Sequence, residues 1–382
     1  MNEKQYKITL CGYYGIGNLG DEIILESLLQ KLSENPPRPP FTHQKNNPIE
    51  PDSAHPRPEI HVLKSKNPIK ILAALAQSDI FAFGGGSLLQ NSTSTRSLLW
   101  YCTLIRTARR LCPRCVMVAN GIGPIVDSAL SRDFLLNYLA KTVNLFDEIS
   151  VRDRNSQLLL SHLLPNRKIH LLPDPAIDLL LKKSQKINQR LINPQKITFI
   201  LHVGALKKHK ITPETLATTL NSLKNQLSLP LSIIVLNENE DGDFARATAS
   251  LTCSEIYFPK TSDALIHALS NSKIAITQRY HGAIASICME IPTLSISADP
   301  KLSALSADFV LFPAIFPTIL TPKATVSCEN NTNNLVTLVA QILKHHEQHK
   351  SETLSRLISV AQISDHLLKK IVFPNTKHRK RI

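Results

Sequence analysis

The chain has 382 residues, 43% of them hydrophobic, which is enough for two ordinary domains and too apolar for global disorder. Lys and Arg total 44 against 30 Asp and Glu, and the net charge of +14 suits an anionic partner: nucleic acid, an anionic membrane surface or a phosphorylated substrate. Aromatic residues at 5%, with Trp100 the single tryptophan, argue against a stacking platform for single-stranded nucleic acid, and no run reaches the ~18 apolar residues of a membrane span.

The start of the chain, MNEKQYKITL, has no signal-peptide core, so the expectation is a cytoplasmic protein whose membrane contact, if any, is peripheral at the inner face. Tyr6–Leu10 reads as a strand. A Gly-rich loop follows, with Gly12, Gly15, Gly17, Asn18, Gly20 and Asp21, and then an apolar helix from Ile23 to Leu32 with Asp21 as its N-cap. Gly15–Gly20 fits GxGxxG formally, but it begins too late for the Rossmann turn and lacks a convincing acidic residue ~20 positions on. The Pro-rich stretch 35–58 reads as a long loop.

Strand and helix then alternate. Strand Ile60–Leu63, helix Asn67–Gln77 and strand Asp79–Phe83 lead to the loop Gly84-Gly85-Gly86-Ser87. Helix Leu98–Arg110, strand Cys115–Ala119, the loop Asn120–Pro124 and helix Arg132–Leu145 come next. Strand Glu148–Val151 ends at Arg152-Asp153, with Asp153 capping helix Ser156–Leu164, and strand Ile169–Leu172 ends at Asp174-Pro175. Nine of the 12 glycines fall in three loops, each directly after a strand, which suggests close backbone approach to a ligand at one sheet edge. Cys112-Pro113-Arg114-Cys115 is a CxxC without a second CxxC, so a four-cysteine zinc site is not expected and reduced thiols are the preferred reading. No His, Cys, Asp and Glu cluster has metal-ligand spacing, and no metal is expected.

Lys182–Asn193 reads as a polar linker, bounded at 181–196, between an N-terminal domain over 1–180 and a C-terminal domain over 197–335. The second domain runs through strand Ile197–Val203, helix Pro213–Gln226, strand Leu231–Leu236, a helix around Asp243–Ala249, strand Ile256–Phe258 and helix Ser262–Leu269. Asn271–Lys301 is its centre: a strand through Ile274–Ile276, then Gln278-Arg279-Tyr280-His281-Gly282, a helix to Met289, a strand from Pro292, and Asp299-Pro300-Lys301. A right-handed crossover makes the two strands parallel, so Arg279, His281 and Lys301 come to the carboxyl edge where α/β folds bind ligands. A titratable imidazole, two cations and a helix start point to a phosphate or carboxylate ligand with proton transfer nearby. Two closing helices, Asn334–His345 and Thr353–Leu368, occupy 336–376, and 377–382 is a basic tail. The expected architecture is two doubly wound Rossmann-like α/β domains facing a cleft.

The blocks GYYGIGNLGDE, FGGGSLLQNSTSTRS, NGIGP, SVRD, LPDPA, RYHGAIAS and ADPK stand in the order found in polysaccharide pyruvyl transferases, and the chain resembles the CsaB-type, cell-wall branch of that family. The resemblance implies a fold similar to B-type glycosyltransferases. It implies transfer of a pyruvyl group from phosphoenolpyruvate, a co-substrate with no further cofactor, to two hydroxyls of a sugar. The acceptor would be a lipid-linked saccharide, the product a ketal, and phosphate the leaving group. It also implies donor binding by Arg152, Arg279 and Lys301 and catalysis by His281, as acid or as base. Family members often carry an Arg just after the first strand of the second domain, where this chain reads Leu201-His202-Val203-Gly204, with Lys207-Lys208 downstream. The competing readings are a B-type glycosyltransferase using a nucleotide sugar and a non-catalytic basic binding module.

Overall fold

The structure is a computed structural model that describes residues 5–34, 57–64, 67–188, 195–296, 300–311, 313–314, 320 and 328–373. Most of the Pro-rich stretch and the basic tail lie outside the described residues. The chain forms two compact units: Met1–Gly15 with Ile24–Pro175 and Gln362–Ile382, and Ile16–Ile23 with Ala176–Ala361.

The first unit alternates β1 (Lys7–Cys11), α1 (Leu19–Glu34), β2 (Glu59–Val62), α2 (Pro68–Ala76), β3 (Ile80–Gly84), α3 (Thr95–Leu111), β4 (Arg114–Asn120), α4 (Arg132–Val143), β5 (Glu148–Val151), α5 (Arg154–Leu163) and β6 (Ile169–Leu171). The first residues of α1, up to Ile23, group with the second unit. The strands form a parallel sheet in the order β2-β1-β3-β4-β5-β6, so the order reverses between β1 and β3. A parallel sheet covered on both faces needs apolar residues at consecutive positions, and all five residues of β3, IFAFG, are buried. Phe81, Phe83, Tyr101 and Phe146 are the aromatic centre of this core. α3 shows how local signals set an element. Ser94 Oγ accepts from Ser97 N, Leu98, Tyr101, Cys102, Ile105 and Ala108 form the buried face, and the helix stops before Pro113.

The second unit contains α6 (Ala176–Asn188), β7 (Lys196–Leu201), α7 (Val203–Lys208), α8 (Pro213–Leu227), β8 (Leu231–Val235), α9 (Glu238–Thr252), β9 (Glu255–Tyr257), α10 (Ser262–Leu269), β10 (Ser272–Thr277), α11 (Tyr280–Cys288), β11 (Thr293–Ser295), α12 (Pro300–Asp308) and α13 (Cys328–Val372). Its parallel sheet has the order β11-β10-β7-β8-β9, reversing between β7 and β10, and its core centres on Ile197, Phe199, Leu201, Ile233 and Ile276.

Four sequence expectations are corrected. The described part of the expected linker is helical: Leu180, Leu181 and Ser184 are buried at helical spacing in α6, so its lysines are one face of an amphipathic helix. The two closing helices are one 45-residue helix, α13, because the polar run between them contains neither Gly nor Pro to stop it. α9 begins at Glu238, five residues before the expected start, with Glu238, Glu240 and Asp241 in a first turn that favours acids. α1 begins at Leu19, so Asn18, not Asp21, precedes its first turn: Asn18 Oδ1 accepts from Gly20 N at 3.2 Å.

Candidate functional site

In the second unit the carboxyl edge is built around the exit of β10. Gln278 and Arg279 make the turn and α11 starts at Tyr280. Thr277 Oγ1 donates to Arg279 O at 3.0 Å and accepts from Arg279 N at 3.1 Å, which fixes that turn. His281 is therefore in the first turn of α11, among the N–H groups that a helix leaves without partners.

The other wall of the His281 seat is Gly20. A Cβ on Gly20 would lie 2.1 Å from His281 Nδ1 and 2.6 Å from Cγ, so the imidazole rests directly on the glycine backbone. That backbone is held in place by Leu19 N donating to Leu236 O at 2.9 Å and by Asn18 Nδ2 donating to Asp21 Oδ2 at 2.6 Å. The Tyr280 ring stands edge-on to the imidazole at 5.4 Å. The structure thus joins His281 to Gly20, Asn18 and Asp21 of the Gly-rich loop. Gly20→Ala should displace the ring: overpacking of this kind costs ~1–3 kcal/mol. Its turnover should fall toward that of a His281-less enzyme, which steady-state kinetics beside a thermal melt will read.

Arg279 has internal partners. Its guanidinium is salt-bridged to Asp241, which is fully buried, and to Glu240 at 3.3 Å. Asp241 also accepts from Val203 N at 2.9 Å, tying the β7 exit to the β10 exit. His202 N donates to Gln278 Oε1 at 3.1 Å across the same point of strand-order reversal. Lys301 is half-buried in the first turn of α12, on the same carboxyl side. Among the described residues, Gln278 Nε2, Asn237 Oδ1 and Ser295 Oγ are buried at this edge without hydrogen-bond partners. Such groups are uncommon in native interiors, and three at one sheet edge make it the chemically unusual part of the second unit.

In the first unit Arg152 follows β5 and is buried. Nη1 donates to Asp174 Oδ2 at 2.9 Å and Nη2 to Ser87 Oγ at 2.9 Å. Gly121 allows this approach: a Cβ there would sit 2.4 Å from Ser87 Oγ and 3.2 Å from Arg152 Nε. The local chain is shaped for it. The β4–β5 register shifts between Met117 and Asn120, Ala119 takes a left-handed φ of 48°, and Asn120 Nδ2 donates to Phe83 O at 2.8 Å. Gly84 ends β3, Gly85 and Gly86 carry positive φ before Ser87, and Gly15 and Gly17 carry positive φ in the loop after β1. Arg152 and Ser87 are therefore brought together in the first unit, while His281, Arg279 and Lys301 belong to the second.

Sequence reasoning did not assign Asp174, Asp241 or Gly121 to the site. The signal for two of them was present, since Gly121 directly follows β4 and Asp174 stands three residues after β6, each in a quoted motif. Burial pushes the Cys112 and Cys115 thiols up to about 12, with Cys112 and Asp147 adding to the effect at Cys115, so thiolate for redox chemistry is scarce near neutral pH. Among the described residues, no three His, Cys, Asp or Glu side chains are placed to hold a metal ion, and no helix is long and apolar enough to cross a membrane.

Two parallel, doubly wound sheets with loops at their carboxyl edges define a Rossmann-like α/β protein of the B-type glycosyltransferase kind. The fold is similar to that of UDP-GlcNAc 2-epimerase from Neisseria meningitidis bound to UDP-GlcNAc, at TM-score 0.54 and 13% identity, over 96% of this chain and 100% of the other. It is also similar to S. aureus MnaA in a structure with UDP, at TM-score 0.55 and 13% identity, over 99% and 100% of the two chains. The N-terminal domain of Candida albicans trehalose-6-phosphate phosphatase aligns at TM-score 0.50 and 10% identity over 97% of each chain. At such identity these likenesses speak for the fold alone. No curated protein matches the sequence. The family model for polysaccharide pyruvyl transferase matches residues 18–300, most of the chain, and the chain belongs to that family. It is accordingly a transferase, a polysaccharide pyruvyl transferase.

Proposed function

We propose that this family member draws its pyruvyl group from phosphoenolpyruvate. It closes the group as a ketal over two hydroxyls of a sugar in a lipid-linked cell-wall or surface polysaccharide precursor, and phosphate is released. The observation that supports the reading most is the seat of His281: an imidazole fixed against Gly20 in the first turn of α11, at the carboxyl edge of its sheet.

The chemistry asks for such a group. A proton must be added to the methylene carbon of the enol phosphate to make C2 electrophilic. The first sugar hydroxyl then bonds to C2. The C2–O bond to phosphate breaks with its electron pair leaving on phosphate, and the second hydroxyl completes the ketal. Of the two hydroxyl protons, one balances the proton gained by carbon and the other leaves with phosphate. His281 is assigned to this proton traffic, delivering a proton to carbon or taking one from a hydroxyl. Arg152 and Lys301 are assigned to the donor's carboxylate and phosphate, a planar fork and a point charge respectively. Arg279 is kept as a further donor ligand, and its pairing with Asp241 and Glu240 also holds the β10–α11 turn that carries His281.

The experiment is phosphate release from phosphoenolpyruvate over a panel of N-acetylhexosamine acceptors, with UDP-sugars as the competing donors. Acceptor-dependent phosphate release is the expected result. Release of UDP from a UDP-sugar instead would replace this reading with a glycosyltransferase.

A further inference from the structure

We propose that the first unit docks on an anionic lipid bilayer through the outer surface of α2, α3, α4 and α5, at the end where these helices begin. The strand order places the crossovers of these four helices in one direction, so right-handed connections put them on one face of the sheet. They form a continuous layer, α2 against α3, α3 against α4, and α4 against α5. Each follows a strand of a parallel sheet, so each begins at the carboxyl edge that also carries Arg152 and Ser87.

The outer residues near these helix starts are the wrong ones for water. Ile69 is 77% exposed, Leu72 46%, Trp100 40%, Phe134 52% and Leu158 70%. All five fall within the first six residues of their helices. At 1.5 Å per residue they share a rim about 9 Å deep. Lys70, Arg96, Arg132 and Arg154 lie in the same first turns, all exposed. A helix start disfavours cations and favours acids, yet α2 and α3 contain no acid at all, α5 has one only at its N-cap, the buried Asp153, and α4 sets the exposed Asp133 beside Arg132. Four helices that each place a cation against their own dipole, beside exposed aliphatic and aromatic side chains, carry a pattern that folding does not ask for.

Charge and apolarity together select the occupant. Basic side chains with Trp, Phe, Leu and Ile around them match the interface of an anionic membrane, where the cations meet headgroups and the apolar tips enter the acyl boundary. A nucleic acid gives the exposed aliphatics nothing to enter. A second copy of this face would bring like charges together. Docking here would present the carboxyl edge to a lipid-linked acceptor and so deepens the proposed function, but the test uses no substrate and stands or falls apart from it.

Trp100 is the only tryptophan, so its emission reports this surface alone. The full chain is mixed with vesicles of phosphatidylcholine, or of equal parts phosphatidylglycerol and phosphatidylcholine, with and without brominated acyl chains. The expected result is a blue shift and bromine quenching with the anionic vesicles only, weakening as salt rises. Each cation near a membrane surface is worth about fivefold in partitioning, so Lys70→Gln with Arg96→Gln should bind roughly 25-fold less. Ile69→Asn with Leu158→Asn, both exposed sites, should lose quenching while keeping the parent's circular dichroism. Unshifted Trp100 emission, cosedimentation without quenching, variants that bind as the parent does, or a shift with polyglutamate but not with vesicles would each overturn the proposal.

Discussion

His281→Ala should lower turnover by roughly 10²–10⁴-fold, the range for loss of a positioned acid–base group, with a melting temperature close to the parent's. The size follows from the chemistry: carbon protonation of an enol phosphate needs a poised donor, and hydroxyl attack needs a poised acceptor. The modest effect on folding follows from the seat. The ring lies over Gly20, and truncating it opens space rather than forcing a clash. Kinetics and a thermal melt on one preparation check both halves. Near-normal turnover would remove His281 from the mechanism, and a collapsed melt would make it a structural residue.

Asp174→Ala should destabilise the protein by about 3–5 kcal/mol, the cost of breaking a buried ion pair from one side. The Arg152 and Asp174 side chains are 4% and 0% exposed and 2.9 Å apart. Removing the carboxylate leaves a largely buried guanidinium charged without its counter-ion, since Arg stays protonated at any ordinary pH. Replacing both partners with apolar residues, Arg152→Met with Asp174→Leu, should cost far less in stability than Asp174→Ala alone, while still losing activity if Arg152 holds the donor. Chemical denaturation of the two variants gives the comparison. A single variant as stable as the parent would mean that the pair is not formed in solution.

The sheets were legible because buried parallel strands are written as short apolar runs between Gly, Asn and Asp. β5 and α10 fall on the predicted residues, and α11 links parallel strands as expected. What was not legible has physical reasons. α6 was hidden because its exposed lysines outweigh its buried stripe in composition, although the stripe has helical period. α12 was hidden because Pro300, which can open a helix as readily as end a strand, was read as ending one. α13 was split because a polar run resembles a loop unless the absence of Gly and Pro is weighed.

The site shows the same division. His281 was found from local signals, a strand end followed by a helix start. Its partner Gly20 lies far away in sequence, and no periodicity connects the two. Arg279 and Arg152 were recognised as cations at strand ends, but the carboxylates that hold them, Asp241 and Asp174, depend on three-dimensional pairing. A one-residue reading sees charge and cannot see its neutralisation.

The most direct test of the account is the stoichiometry of donor consumption and product formation with a lipid-linked saccharide acceptor. One phosphate released from phosphoenolpyruvate for each acceptor that gains a pyruvyl ketal, with both signals lost together in His281→Ala, is the predicted result. Ketal formation that persists in that variant, or phosphate release with no change in acceptor mass, would contradict it.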